Sequence, residues 1–195
     1  MTLMPNIITA TASDRERAVK TLVLGFASDP IARWLWPAPE TYLSLMPRFT
    51  EAFGGRAFEK ETAYVADSGR AVALWLPPEV EPDGETMDKI LAEGMFPEIA
   101  DDVESFFKSM ASYHPHGPHW YLPLIAADPS WMNRGLGAAL MKHALRRCDQ
   151  DGLPAYLESS NPRNISLYER HGFKIIGEIQ SGSSPVMTPM LRLPG

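Results

Sequence analysis

Residues 120–140, with the sequence WYLPLIAADPSWMNRGLGAAL, constrain the fold of this chain more than any other stretch. The apolar run WYLPLIAA is typical of a buried strand, and the Asp-Pro pair after it ends the run. A helix is predicted over residues 136–150, because three apolar residues recur on one face: Leu136, Leu140 and Ala144. A strand that leads through a glycine-containing turn into a helix directs free backbone N–H groups and the positive end of the helix dipole to one small volume. The stretch therefore predicts a binding site for a phosphorylated ligand.

Two glycines in this stretch, Gly135 and Gly137, favour the same interpretation, because a residue without a side chain lets the backbone approach a pyrophosphate closely. An isolated Gly-x-Gly is weak evidence, however, and an ordinary turn at a helix start explains these residues as well. A dinucleotide-binding fold is disfavoured, because its motif requires a third glycine where this chain has Leu140.

The turn also resembles a family signature. Residues 132–137, MNRGLG, are similar to the acetyl-CoA signature of the GNAT N-acetyltransferases, which reads Gln/Arg-x-x-Gly-x-Gly/Ala after a strand. Met132 departs from this pattern at its first position, since it has no polar side chain. A second block, residues 156–173 (YLESSNPRNISLYERHGF), resembles the family's strand and helix that end in Tyr-Glu-x-x-Gly-Phe. Two motifs in the family's order are more specific than either motif alone.

Within the family, the chain most resembles members that are like puromycin N-acetyltransferase, through residues 17–22, 26–27, 154–158 and 162–173. The resemblance implies an α/β fold of the GNAT type, with a mixed, twisted central sheet flanked by helices, in a single domain over residues 1–195. It implies an acetyl-CoA-dependent N-acetyltransferase that moves the acetyl group directly to a primary amine of a small molecule. A protein or peptide N-acetyltransferase and a non-catalytic acyl-CoA-binding sensor remain alternatives. A homodimer is a further option, because dimers are common in the families that the chain resembles.

The resemblance also assigns the site residues. Tyr168 stands at the position of the family's tyrosine and is the expected general acid toward the sulfur of CoA, since a tyrosine with an ordinary pKa near ~10 has a proton to give at neutral pH. Glu158, at the end of a predicted strand, is the candidate base that deprotonates the amine, directly or through water. The residues expected to contact acetyl-CoA are Ile125, Ala126, Ala127, Asn133, Arg134, Gly135, Leu136, Gly137, Ala138, Asn161, Asn164 and Tyr168.

Several of these assignments have structural alternatives. Tyr168 would instead be a buried core residue, and Glu158 would instead bond to nearby backbone. Asn161 and Asn164 both fit the family's cofactor-contacting asparagine, and either would instead serve as a helix cap.

Two further segments offer pocket residues. Trp34 and Trp36 either pack as core anchors or form one wall of an acceptor pocket. The loop at residues 114–119, HPHGPH, holds three of the five histidines. Its composition alone would allow metal binding, but no cysteine or acidic ligand pattern accompanies it, so no metal is expected. A place for one histidine at the edge of the pocket stays open.

Composition narrows the class of protein. With 45% apolar and 22% charged residues the chain is typical of a globular protein, and no apolar run approaches the ~20 residues of a membrane helix. Residues 1–17 lack the apolar region of a secretory signal, so a cytoplasmic location without a membrane partner is expected. The net charge of −6 argues against a nucleic-acid partner. The single cysteine, Cys148, excludes an intrachain disulfide, and its place on the apolar helix face favours a structural thiol over a nucleophile.

Turn signals and periodicity predict the remaining elements. Ser13 and Glu16 form a predicted capping box for a helix that ends near Ala27, and Asp29-Pro30 follows as its stop. Ser68-Gly69 is the predicted two-residue turn of a hairpin. The other predicted elements are strands over residues 7–12, 62–67, 70–76, 155–158, 173–179 and 186–193, and helices over residues 40–53, 85–93, 99–112 and 163–170.

Overall fold

The computed structural model describes residues 5–195, in which seven strands form one mixed sheet with helices on both faces. The strands are β1 (Ile7–Thr9), β2 (Ala63–Ala66), β3 (Ala71–Leu76), β4 (Trp120–Ala127), β5 (Ala155–Ser159), β6 (Lys174–Ile175) and β7 (Thr188–Arg192). The helices are α1 (Arg15–Gly25), α2 (Pro30–Leu35), α3 (Pro39–Gly54), α4 (Arg56–Glu59), α5 (Gly84–Gly94), α6 (Ala100–Tyr113), α7 (Leu136–Asp151) and α8 (Ile165–Glu169). None of these helices combines the length and the apolar character that crossing a membrane requires.

The strand order β1-β2-β3-β4-β5-β7-β6 places β4 and β5 side by side in the centre of the sheet. This pair is parallel, and α7 lies in the crossover between its two strands. The other neighbouring strands pair antiparallel. The predicted α/β fold, with a mixed sheet and a βαβ unit in the C-terminal half, is therefore confirmed.

Each face of the sheet buries its own apolar cluster. Helix α7 covers one face with Leu136, Leu140 and Ala144, which confirms the predicted apolar stripe. Cys148 is fully buried in the same cluster, and burial raises the pKa of its thiol to about 12. The thiol therefore stays protonated at neutral pH, as expected for a structural cysteine. Helices α1 to α6 contribute to the cluster on the other face.

The predicted capping box of α1 is wrong. Asp14 rather than Ser13 occupies the N-cap, and its side chain makes no capping hydrogen bond to the helix. The Ser13 hydroxyl instead lies 2.8 Å from the hydroxyl of Thr11, and the Asp14 carboxylate accepts a hydrogen bond from the Thr11 N–H at 2.9 Å. The turn before the helix thus uses the polar side chains that a capping box needs. At its other end α1 stops at Gly25, before the predicted Ala27.

The hairpin between β2 and β3 has a longer turn than predicted. Asp67, Ser68 and Gly69 adopt left-handed backbone conformations, with φ of 45°, 60° and 101°. The N–H groups of Gly69 and Arg70 both donate to the carbonyl of Ala66, so the loop closes on the last residue of β2. A two-residue turn at Ser68-Gly69 is therefore wrong, because the flanking residues belong to the loop rather than to the strands.

The last two strands are shorter than predicted. Strands β6 and β7 cover only part of residues 173–179 and 186–193. Beyond them, an isolated bridge from Ile179 to Met187 continues the antiparallel pairing. The chain reverses between the two bridge residues, with Gly182 in a left-handed conformation at φ of 51°. This reversal interrupts the regular ladder.

Candidate active site

Strands β4 and β5 separate in the middle of the sheet. Their parallel pairing begins at Trp120 and Ala155 and stops at Leu122 and Leu157, although β4 continues beyond this point. Pro123 follows the last paired residue of β4 and has no N–H to donate to a neighbouring strand. The rest of β4 therefore borders a gap in the centre of the sheet.

A β-bulge on the other side of β4 accompanies this separation. Leu124 pairs with Leu74 of β3, whereas Tyr121 pairs with Leu76, so β4 contains one residue more than β3 between these two pairs. The extra residue lies next to Pro123, and a bulge of this kind bends the strand that contains it. The bend explains how β4 can stay paired with β3 while it leaves β5.

A cavity with an empty volume of about 780 Å³, open solvent included, lies at this gap. Strands β4 and β5 contribute part of its wall, and segments from α2, α3 and α6 contribute most of the rest. The aromatic lining residues are Phe26, Trp36, Phe49, Phe53, Phe106, Phe107 and Tyr168. Two carboxylates, Asp29 and Glu158, also border the cavity. The space is therefore mainly apolar, with acidic groups at defined places.

The structure brings part of the predicted site together in this cavity. The predicted residues in its wall are Ile125, Glu158, Asn164 and Tyr168. Ala126 and Ala127 lie further along β4 and pair with Val72 and Ala71 of β3. The side-chain oxygen of Asn161 accepts from the N–H of Arg163 at 3.1 Å, so Asn161 caps the turn before α8. Of the two asparagines, it is thus Asn164 that faces the cavity.

Tyr168 reaches the cavity from α8 and is 5% exposed. Burial raises the pKa of its phenol above the ordinary value, and the negative charge of Asp29 adds to the increase. Its ring packs edge-to-face against Phe173, with 6.2 Å between ring centroids. Within residues 5–195 its hydroxyl makes no hydrogen bond, so this group is free to donate to a molecule in the cavity.

Glu158 reaches the same cavity from β5, and its side chain is only 3% exposed. Its Oε2 accepts a hydrogen bond from the hydroxyl of Tyr121 at 2.8 Å. Its Oε1 lies 3.2 Å from Nε2 of His114 but makes no hydrogen bond of good geometry within the described residues. The carboxylate is thus fixed by side chains rather than by nearby backbone, contrary to the structural alternative raised from the sequence.

The role of Asp29 was not predicted from the sequence. Its Oδ1 caps α2 by accepting from the N–H groups of Ile31 and Ala32 at 3.0 and 3.1 Å, and its Oδ2 accepts from the Ser160 hydroxyl. Burial raises the pKa of Asp29, and these hydrogen bonds oppose the increase. Asp29 therefore ties α2 to the end of β5. The signal was visible in the sequence, because Asp followed by Pro is a common helix start.

The turn before α7 has the geometry expected for an anion site. Asn133 and Gly135 adopt left-handed conformations, with φ of 60° and 78°. Gly135 is the N-cap, no side chain among residues 5–195 caps α7, and a Cβ at Gly135 would meet nothing within 4 Å. The first N–H groups of the helix are therefore left without intrahelical partners beside open space. This arrangement fits a phosphorylated co-substrate.

Two cations flank an aromatic ring next to this turn. The guanidinium groups of Arg70 and Arg134 lie 3.5 and 4.6 Å from the centre of the Trp131 ring. The stacking fixes positive charge close to the start of α7. Arg134, one of the predicted contacts, is exposed there, whereas the side chain of Leu136 is buried in the core and leaves only its main chain available.

The two tryptophans have different environments. Trp36 is 1% exposed and lines the cavity, so it combines the two roles considered from the sequence. Trp34 lies outside the cavity lining, packs against Phe106 and donates from Nε1 to the Ser183 hydroxyl at 3.1 Å.

Within residues 5–195, no cluster of histidine, cysteine and acidic side chains has the arrangement of a metal site.

The chain belongs to the acetyltransferase (GNAT) family, whose profile matches residues 31–173. It is 25% identical to an uncharacterised N-acetyltransferase of Schizosaccharomyces pombe over 185 residues, which cover 83% of this chain and 71% of that protein. Enzymes of this family are acetyltransferases that typically use acetyl-CoA as co-substrate. The family and enzyme class expected from the motifs are therefore confirmed.

Solved structures show the same fold. A crystal structure from Corynebacterium glutamicum, described as histone acetyltransferase HPA2 and related acetyltransferase, is 27% identical with a TM-score of 0.71, and the match covers 99% of this chain and 98% of that one. The polyamine N-acetyltransferase of Drosophila melanogaster is 14% identical with a TM-score of 0.60, over 97% of this chain and 99% of that one. At this lower identity the likeness concerns the fold alone.

Proposed function

We propose that the protein transfers an acetyl group from acetyl-CoA directly to the primary amine of a small aromatic or amphiphilic molecule. The observation that supports this most is the cavity at the gap between β4 and β5, which has Glu158 and Tyr168 in its wall. The start of α7 lies close by, since a Cβ at Gly137 would touch the Leu167 side chain at 3.4 Å. Leu167 directly precedes Tyr168 on α8. The proposed anion site and the proposed amine site would thus meet at one gap.

Backbone groups would hold the co-substrate, which supplies the acetyl group as an activated thioester. The free N–H groups at residues 136–138 suit the pyrophosphate. The segment from Ile125 to Ala127 borders the gap and would lie along the acetyl and pantetheine arm. A well-placed backbone N–H there would stabilise the oxyanion by about 3 kcal/mol.

Glu158 is the proposed base. An amine attacks a thioester only when it is neutral, and a carboxylate at the cavity wall can take its proton. Glu158 is held in place by Tyr121 at 2.8 Å, so it needs little reorganisation to act. Such help is typically worth about 10²–10⁴-fold in rate.

Tyr168 is the proposed acid. Because burial raises its pKa, the phenol stays protonated at neutral pH and can donate to the departing sulfur. Its hydroxyl has no competing hydrogen bond within the described residues.

The lining of the cavity supports a small amine over a peptide. A basic peptide requires an open acidic groove, whereas this wall is mainly aromatic, with Trp36, Phe49 and Phe106 among its residues. Aromatic walls favour a substrate with an apolar body. The sensor alternative is less well supported, because a protein that only binds acyl-CoA has no need of an acid and a base at one cavity.

Calorimetric titration with acetyl-CoA, followed by thiol-release assays over a panel of amines, tests the proposal. Names of the structural neighbours suggest agmatine, a polyamine and an arylalkylamine for this panel. The resemblance to puromycin N-acetyltransferase-like members rests on sequence blocks alone and adds puromycin, and a basic peptide represents the protein alternative. We expect micromolar acetyl-CoA binding and thiol release that depends on an arylalkylamine.

Each of the other possible results of these assays would lead to a different conclusion. Release only with the peptide would replace the small-molecule proposal by the peptide alternative. Binding without release from any amine would favour the sensor. Absence of binding would contradict the anion site at the start of α7.

A further inference from the structure

His114 lies directly behind the proposed base. It follows the last residue of α6, and its side chain is 29% exposed, so part of the ring reaches solvent. Its Nε2 is 3.2 Å from Oε1 of Glu158. The ring centroids of Tyr121 and Tyr156 each lie 4.7 Å from that of His114. The imidazole thus fills the space between the buried carboxylate and the protein surface.

Glu158 needs an exit for the proton that it receives. Its side chain is 3% exposed, and during the reaction the cavity in front of it would contain the substrate. Oε2 is already occupied by the hydroxyl of Tyr121, whereas Oε1 has no hydrogen bond of good geometry within residues 5–195. His114 Nε2 lies within reach of this second oxygen, and the hydroxyl of Tyr156 also interacts with the carboxylate.

We infer that His114 is a positioning residue that acts through the base, Glu158. Its ring receives the amine proton from Glu158 and passes this proton to solvent. This inference rests on the proposed function. The ammonium gives its proton to the Glu158 carboxylate, which passes it from Oε1 to an unprotonated Nε2 of His114. The resulting imidazolium loses one proton to solvent water, which restores a neutral ring and an ionised carboxylate. Histidine suits this step because one ring nitrogen of a neutral imidazole can accept a proton while the other carries a proton that it can donate.

The other titratable groups near Glu158 are less suited than His114 to carry its proton to solvent. Burial raises the pKa of Tyr121 and of Tyr156, and the charge of Glu158 adds to both increases, so the two phenols stay protonated. The centroid of the His119 ring lies 5.7 Å from that of His114. Its Nδ1 is within hydrogen-bond distance of the backbone carbonyl of Gly117, at 2.9 Å. Tyr113, at the end of α6, directs its hydroxyl to a backbone carbonyl at 3.3 Å.

Two substitutions of His114 test the inference. His114→Phe keeps the aromatic packing but cannot carry a proton, and His114→Ala leaves room for a small base from solution. We expect both to lower kcat by about 10-fold, less than the ~10²–10⁴-fold typical of losing a base. Free imidazole should restore much of the activity of His114→Ala and little of that of His114→Phe, which has no space for it. His116→Ala is the matched control, because His116 lies exposed in the same loop.

Rescue separates proton transfer from structure. A fall in kcat that neither imidazole nor higher buffer concentration relieves in His114→Ala would assign His114 a packing role and overturn the inference. Unchanged kcat in both variants would also overturn it, while leaving the proposed function intact. Absence of amine-dependent transfer in the wild type would overturn both. A fall equal to that of His114→Ala in the His116→Ala control would show that the loop, rather than the His114 ring, matters.

Discussion

Replacing Gly25 by alanine should destabilise the protein and weaken the proposed co-substrate site together. Gly25 is the last residue of α1, where the helix crosses the part of β4 beside the gap. A Cβ at this position would lie 2.4 Å from the Cβ of Ala126 and 3.0 Å from the carbonyl oxygen of Ala127. One of these neighbours is backbone and the other is a rigid methyl group. The helix and the strand must therefore separate.

The size of the effect follows from these distances. Ordinary contact begins near 3.4 Å, so α1 and β4 must move apart by about 1 Å. Overpacking of this kind typically costs about 1–3 kcal/mol. The higher helix propensity of alanine offsets up to about 1 kcal/mol of it. We expect a net loss of about 1–2 kcal/mol, which lowers the Tm of a chain of this size by roughly 2–8 °C.

Differential scanning calorimetry measures the change in stability, and calorimetric titration measures the affinity for acetyl-CoA. Gly84→Ala is the matched control, since a Cβ there would meet nothing within 4 Å at an exposed helix start. The control should stay within about 0.5 kcal/mol of the wild type. A Gly25→Ala variant that melts like the wild type would refute the close approach of α1 to β4. A destabilised variant with unchanged acetyl-CoA affinity would refute the place of Ala126 and Ala127 in the co-substrate site.

Three further predictions concern single residues. Tyr168→Phe should lower kcat by about 10²-fold or more, with acetyl-CoA affinity and Tm nearly unchanged, and equal kcat would remove Tyr168 from the mechanism. Gly135→Ala places a side chain at φ of 78°, which costs roughly 1 kcal/mol of strain; titration should show weaker acetyl-CoA binding. Asp149→Asn breaks a bidentate pair with Arg192, at 2.6 and 3.0 Å, that lowers the pKa of Asp149. The pair stabilises the fold above the unfolded pKa near 3.8 and loses this effect as pH falls through the lower folded pKa. Urea unfolding should therefore show a deficit of about 1 kcal/mol at pH 7 that fades at acidic pH, and a constant deficit would contradict the ion pair.

Strong local signals made the centre of the fold predictable. The apolar run, the Asp-Pro pair and the helical period gave β4 its observed bounds, Trp120–Ala127, and placed α7 within one residue of its observed end at Asp151. The predictions that failed came from pairs of residues that are compatible with two different local structures. Asp29-Pro30 was interpreted as a helix stop, although the same residues start α2, and Ser13 and Glu16 fit a capping box whose hydroxyl is used by Thr11 instead.

The acceptor side of the site could not be predicted in the same way, because it depends on contacts between distant segments. Glu158 and Tyr168 were found through a family motif, and their roles remain predictions. No spacing in the sequence shows that His114, after α6, lies behind Glu158 of β5, or that Phe106 and Phe49 share one cavity. Such contacts follow from how α3 and α6 pack over the sheet. The expected cytoplasmic location and the homodimer likewise remain predictions.

Pro123 is a sequence feature from which the position of the cavity could have been predicted. A proline inside a central strand removes a donor from the ladder and is found at bulges and strand edges. Here it follows the last pair between β4 and β5 and lies beside the bulge against β3, so the proline marks where the sheet opens. Backbone groups that border such a gap need hydrogen-bond partners from outside the sheet. We expect an extended ligand with amide groups to supply them, since such a ligand can add to an open strand edge as another strand would. The same break in the sheet thus accounts for the cavity, and we expect it to favour an extended ligand with amide groups.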